Sequence, residues 1–218
     1  MCRSGHSPNP FRRAWRAASR LSGTFVPPRW RCRLATMSNA SAPTPTFAEL
    51  LTAQVRNEFT ASQQYIAIAI WFDGHDLPRL AQHFYRQSVE ERNHAMMIVR
   101  YTLDRDWSVQ IPGIDEIRNT FENPVDPIAL ALAQEKAVTA QIEALFRAAR
   151  AEDDALGEQF MLWLLKEQIE EVATVNSLLA FSVRAGDNWF QIEDHLAREA
   201  VGSANVDSAA PDTAGGIL

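Results

Sequence analysis

The chain has 218 residues, 46% of them hydrophobic and 22% charged, which bounds it to one or two domains with room for a sizeable core. Its net charge of −6 is uneven: residues 1–36 hold eight Arg and no Asp, Glu or Lys, leaving residues 37–218 at a net −14. Such an acidic body repels nucleic acid and attracts cations, and no apolar run approaches the ~18 residues that span a bilayer.

Residues 1–36 lack the apolar run of a secretory signal. Arg-rich and free of acids, they read either as a segment resembling a mitochondrial transit peptide or as the result of a start codon assigned too early. On the second reading Met37 opens a short polar N-terminus, residues 37–46. Either way this composition predicts a disordered leader. Both cysteines, Cys2 and Cys32, lie in it, so residues 37–218 carry no disulfide framework and no thiolate metal site. That fits a reducing, cytoplasmic compartment.

Four long helical patterns follow. The first runs from about 47 to 72, with Thr46 and Glu49 spaced as a capping box and Gly74 marking the end. The second runs from Pro78, a good first-turn residue, to about 104. At ~1.5 Å per residue each spans about 40 Å. A stretch of about 20 residues with no long period comes next, long enough to cross the full length of a bundle. The third helix is predicted from an Asp126 N-cap and Pro127 to about 150. The fourth is predicted over 156–184, closed by Gly186. A short fifth helix, capped by Asp187 or Asn188, reaches about 198. The domain covers 47–200, and the small polar tail, 201–218, reads as loose. No strand pattern is present. The fold class is therefore all-α: a ferritin-like four-helix bundle with a long crossover between its second and third helices and a short fifth helix.

Each long helix places an acid on its apolar side. Glu58 shares a stripe with Leu51, Val55 and Tyr65, and Glu91 and His94 share one with Phe84 and Ile98. Glu135 lies between Leu132 and Val138, and Gln168 and Glu171 lie among Leu164, Val172 and Val175. Glu91 and His94, three apart, share one helix face and can grip a single ion. Ionised carboxylates gathered in a core are costly unless paired, and bound cations remove that cost. Iron accepts such a mixed oxygen and nitrogen set. The competing reading places these acids at stripe edges, reaching solvent.

The motifs NEFTASQQY (57–65), VEERNHA (89–95), QEK (134–136) and KEQIEEV (166–172) resemble those of ferritins, in order and loop length, over residues 47–200. The resemblance is closest to bacterial haem-free ferritins of actinobacterial type. It implies that Glu58, Glu91 and His94 bind a first iron and that Glu91 bridges to a second, completed by Glu135 and Glu171. Gln168 would orient water or peroxide, and Tyr65 would hydrogen-bond the site and donate an electron. Glu90, Glu167 and Glu170 match a third iron position, and Glu158 an acidic pore position, with Met161 where a second pore acid is common. The implied activity is iron storage and detoxification: a ferroxidase oxidising Fe(II) with O2 or H2O2, its product mineralised as ferric oxyhydroxide inside a homo-oligomeric shell of about 24 subunits. Two departures separate the chain from bacterioferritins: the fourth helix lacks a second Glu-x-x-His, and Arg92 follows Glu91 where a haem-ligating Met would stand. No haem is therefore expected, and Met96 and Met97 read as packing residues.

Three rivals compete with this reading. They are a rubrerythrin-like di-iron oxidase or peroxidase, a DNA-shielding mini-ferritin, and a metal-free helical scaffold. A further expectation for the tail, which ends Gly-Gly-Ile-Leu, is docking into an encapsulating shell.

Overall fold

Five helices form among the described residues: α1 (Phe47–Asp73), α2 (Pro78–Asp104), α3 (Val125–Ala151), α4 (Ala155–Ala185) and α5 (Trp189–Glu199). They belong to a computed structural model that describes residues 44–199 and 209–216. The basic leader and residues 201–208 of the tail lie outside the described residues. The Thr46–Glu49 capping box opens α1, and Pro78 occupies the first turn of α2, as the sequence predicts. Among the described residues no helix is long and apolar enough to cross a membrane.

The start of α3 differs from expectation. Asp126 is not its cap, because its carboxylate is taken by a two-pronged ion pair with Arg118. The side chain of Asn123 instead accepts the N–H groups of Val125 and Asp126 at 3.0 and 3.2 Å. Asp is also used where glycine is more usual. Asp76, Asp106 and Asp153 follow the ends of α1, α2 and α3 with φ near +57°, at 58°, 56° and 56°. Each makes the left-handed turn of a Schellman motif, in which the next N–H reaches back five residues: Leu77 to Phe72, Trp107 to Thr102, Asp154 to Ala149. A short polar side chain tolerates that conformation better than a branched or bulky one.

The helices pair α1 with α2 and α3 with α4; α1 also packs on α3, and α5 touches α2 and α4. The connection between α2 and α3 lies along α1. Gln64 acts there like a strand partner, donating to the carbonyl of Arg118 at 2.8 Å and accepting its N–H at 2.9 Å. Thr60 accepts the N–H of Asp115, and Arg56 pairs with its carboxylate. The backbone of a long irregular segment is thereby partly satisfied without a sheet.

Two apolar clusters fill the bundle. One holds Phe47, Leu51 and Val55 of α1, Met97 to Val99 of α2, Val138, Ile142 and Leu145 of α3, and Met161 and Leu164 of α4. The other holds Tyr65, Ile68 and Phe72 of α1, Leu80 and Phe84 of α2, Ile128 and Leu132 of α3, and Val175 and Leu178 of α4. On every long helix the residues between the clusters are the polar ones: Glu58, Glu91 with His94, Glu135, and Gln168 with Glu171. A polar layer therefore cuts the core in two. Close packing near its lower end requires Gly157, where a Cβ would lie 2.7 Å from a ring carbon of Phe47.

Acids from distant parts of the chain close the helix ends. Glu152 accepts the N–H of Phe47 at 2.7 Å, and Asp154 caps α4 while pairing with Arg105 at 2.9 Å. Glu193 of α5 accepts the N–H groups of Arg79 and Leu80 at the start of α2, at 2.8 and 2.9 Å. A carboxylate there satisfies two orphan donors and complements the helix dipole. Replacing Glu193 with Ala is expected to lower stability by about 1–2 kcal/mol and to speed amide exchange at Arg79 and Leu80 selectively. Uniform exchange across α2 would contradict that role.

Part of the tail is described. Residues 209–216 lie against the bundle: the N–H of Ala214 donates to the carbonyl of Met96, Ala210 and Ala214 pack on the first cluster, and Thr213 is buried. Small residues allow this close approach of one backbone to another.

Candidate metal centre

The polar layer is buried except at Glu171, which is half-buried. Glu58, Glu91 and Glu135 are each 0% exposed, and His94 is 6% exposed. Two groups of three ligand atoms each fall within 4.8 Å of one another: Glu58, Glu91 and His94, and Glu91, Glu135 and Glu171. Glu91 belongs to both. Nδ1 of His94 faces the carboxylates, 3.6 Å from Oε2 of Glu91 and 4.0 Å from Oε1 of Glu171. All five ligands expected from the sequence are thus brought together.

Hydrogen bonding sorts these carboxylates. Oε1 of Glu58 accepts from Gln54 at 2.8 Å, Oε1 of Glu135 accepts from the Tyr65 hydroxyl, and Oε2 of Glu171 accepts from Gln168. Oε2 of Glu58 and Oε2 of Glu135 are buried without a partner, and so are both oxygens of Glu91. Buried orphan oxygens of this kind call for an explanation. A cation between each group supplies one. Three carboxylates keep one oxygen tied and turn the other inward, while Glu91 keeps both free and can bridge.

Electrostatics agree. Burial, followed by the charges of Glu171, Glu135 and Glu58, pushes the Glu91 carboxyl well above the usual range. Burial pushes Glu135 and Glu171 up to about 8, helped by the charges of Glu171 and Glu58 respectively. Without a metal the cluster therefore retains protons near neutral pH, and a dication takes their place. Tyr65, stacked on Phe84 at 5.7 Å, is likewise raised by burial and by Glu135, so its hydroxyl stays a donor.

The remaining predicted residues are placed less tightly. Glu90 and Glu170 are exposed and Glu167 is half-buried; the Glu90 carboxyl is raised by desolvation, which the charges of His94 and Arg86 oppose, and neither three-ligand group includes any of the three. Glu158 lies in the first turn of α4 and is paired with Arg150 at 2.7 Å, so its charge is matched within the subunit. Met161 is 0% exposed and belongs to the core rather than to a channel wall. Three neighbours were not singled out in the sequence: Gln54, Thr139, whose hydroxyl lies 2.9 Å from Oε1 of Gln168, and Trp163, edge-on to His94 at 6.2 Å. Gln54 carried a signal, a polar residue in the buried stripe one turn before Glu58.

Residues 48–181 match the family described as the ferritin-like domain. The chain belongs to the ferritin family. This ferritin is similar to Ferritin BfrB of Mycolicibacterium smegmatis, with 58% identity over 182 residues, 84% of this chain and 100% of that protein. It is 54% identical, with the same coverage, to Bacterioferritin BfrB of Mycobacterium tuberculosis. Bacterial non-heme ferritin of Staphylococcus aureus is 29% identical over 140 residues, 64% of this chain and 84% of that one. Among solved structures, an open pore ferritin from Archaeoglobus fulgidus superposes with a TM-score of 0.67 at 23% identity, over 69% of this chain and 94% of that one. A humanized archaeal ferritin gives 0.69 at 21% identity, over 75% and 100%. Both share the four-helix fold of this ferritin.

Proposed function

We propose that this ferritin stores iron and acts as a ferroxidase, Fe(II) being the substrate that enters the Glu91 cluster. The observation that carries the reading is the sharing of Glu91 by two buried three-ligand groups. Two Fe(II) held side by side each give up one electron, and dioxygen or peroxide takes the pair together with protons. Passing two electrons at once limits the release of superoxide.

The residues divide the work. Glu58 and His94 hold one iron, Glu135 and Glu171 the other, and Glu91 bridges them. Tyr65 and Gln168 orient their carboxylates, and Tyr65 is placed to donate an electron. Gln168 also offers its amide to water or peroxide. The third iron position is read from Glu90, Glu167 and Glu170, supported by the closeness of the Glu90 charge to Glu167 and to Glu171. Glu158 is assigned to an acidic entry route for Fe(II), with its carboxylate paired to Arg150. Ferric product then mineralises inside a cytoplasmic cage of about 24 copies closed by symmetry.

A haem-free site is supported by Arg92 directly after Glu91 and by Met97 lying in the core. A metal-free scaffold is disfavoured by the gathering of Glu58, Glu91 and Glu135 with oxygens buried without a hydrogen-bond partner. The test is anaerobic Fe(II) titration followed by air. Saturation near two Fe(II) per subunit and a rapid ferric absorbance are expected; binding no tighter than to the exterior, with oxidation at the buffer rate, would end the proposal.

A further inference from the structure

The two ends of the metal centre are built alike in a way that involves residues beyond the ligands. On α4, Gln168 donates its amide to Oε2 of Glu171, three residues on, and its Oε1 lies 2.9 Å from the Thr139 hydroxyl. On α1, Gln54 donates to Oε1 of Glu58, four residues on, at 2.8 Å, and its own Oε1 accepts from Asn57 at 3.1 Å. Gln54 and Gln168 are both 1% exposed. The Gln54 carbonyl faces the Asn57 amide, the Gln168 carbonyl faces the Thr139 hydroxyl, which also meets the Glu135 backbone carbonyl at 2.8 Å, and each N–H2 is aimed at a carboxylate. Asn57 can only donate through Nδ2, so the Gln54 carbonyl must face it and the Gln54 amide nitrogen must face Glu58.

We infer that Gln54 is a positioning residue for the Glu58 end of the centre, the counterpart of Gln168 at the Glu171 end. By occupying Oε1 it fixes the Glu58 carboxylate in one rotation and leaves Oε2, which has no other partner, turned toward the cation. Without Gln54 both oxygens of Glu58 lack a donor, and the carboxylate is free to rotate. Asn57, from the half-buried side of the same helix turn, holds Gln54 in register. The inference rests on the proposed metal centre. It adds that the two subsites are tuned separately, by one glutamine each.

Anaerobic Co(II) titration, read by visible absorption, separates the two. The subsite with His94 and the all-carboxylate subsite give distinct ligand-field bands, and a His94→Ala variant identifies which band belongs to which. Gln54→Met keeps the side-chain volume and removes the donor. The expected result is a tenfold to hundredfold weakening, ~10–100-fold, at the His94 subsite, with the other subsite within about threefold of wild type. Asn57→Ala, whose site is only half-buried, is expected to weaken the same subsite by about threefold, and carries the test where Gln54→Met does not assemble. Equal weakening of both subsites, or of neither, overturns the inference while leaving the metal centre standing. A wild-type protein that binds no Co(II) at either subsite overturns both.

Discussion

Replacing Glu91 with Ala is expected to slow the initial oxidation of Fe(II) by at least about 100-fold, or ~2.7 kcal/mol of barrier. The reason is geometric. Glu58 and His94 serve one group of ligands, Glu135 and Glu171 the other, and Glu91 alone serves both. Its loss removes a ligand from each iron and the bridge between them, so electrons can no longer leave as a pair. Glu58→Ala or Glu135→Ala removes one ligand from one group and should cost less. The measurement is stopped-flow absorbance after aerobic addition of two Fe(II) per subunit, with anaerobic binding run beside it. Glu91→Ala should lose both binding events; Glu135→Ala should keep the one built on Glu58 and His94. Matching traces for wild type and Glu91→Ala would remove Glu91 from the reaction.

The second large effect is on stability without metal. Glu135 and Glu171 have folded-state pKa values of about 8 against an ordinary 4.5. Between those values the folded chain holds more protons than the unfolded one, so metal-free stability falls as pH rises. The stabilisation is present in full below about 4.5 and is lost as pH passes through about 8. Across that window the set contributes on the order of 3–5 kcal/mol. Divalent metal reverses the trend, because it displaces the protons and binds more tightly as they leave. Thermal midpoints of the metal-free protein should therefore drop between about pH 6 and 8, and added Zn(II) should raise them most at the upper end. In a Glu135→Gln, Glu171→Gln double variant the drop should be much reduced. Identical pH profiles for the two proteins would mean that these carboxylates are ionised already in the absence of metal.

Much of this architecture was legible because it is written in spacing. Acids inside apolar stripes marked the level of the buried polar layer on each long helix, and the Thr46–Glu49 box and Pro78 marked two helix starts. A residue-poor-in-period stretch of about 20 marked the crossover, though not that Gln64 would grip the backbone of Arg118. What escaped depends on side-chain reach. Asp126 and Asn123 are both good caps, and only the nearness of Arg118 decides between them. Gln54 and Thr139 belong to types that usually face water on helices; Gln54 is buried against the Glu58 carboxylate, and half-buried Thr139 meets the Gln168 amide. Glu90, Glu167 and Glu170 looked equivalent as acids beside the ligands, yet Glu90 and Glu170 are exposed and only Glu167 is half-buried. Small polar composition suggested a loose tail; the contact with Met96 depends on backbone approach, which composition does not reveal.

That last contact bears on how the protein can be engineered. Because the N–H of Ala214 is bonded to the Met96 carbonyl within α2, a peptide joined after Gly216 would depart from the flank of the bundle beside Met96, not from the tip of α5. Linker lengths for a tethered reporter or targeting peptide should be measured from that mid-helix anchor.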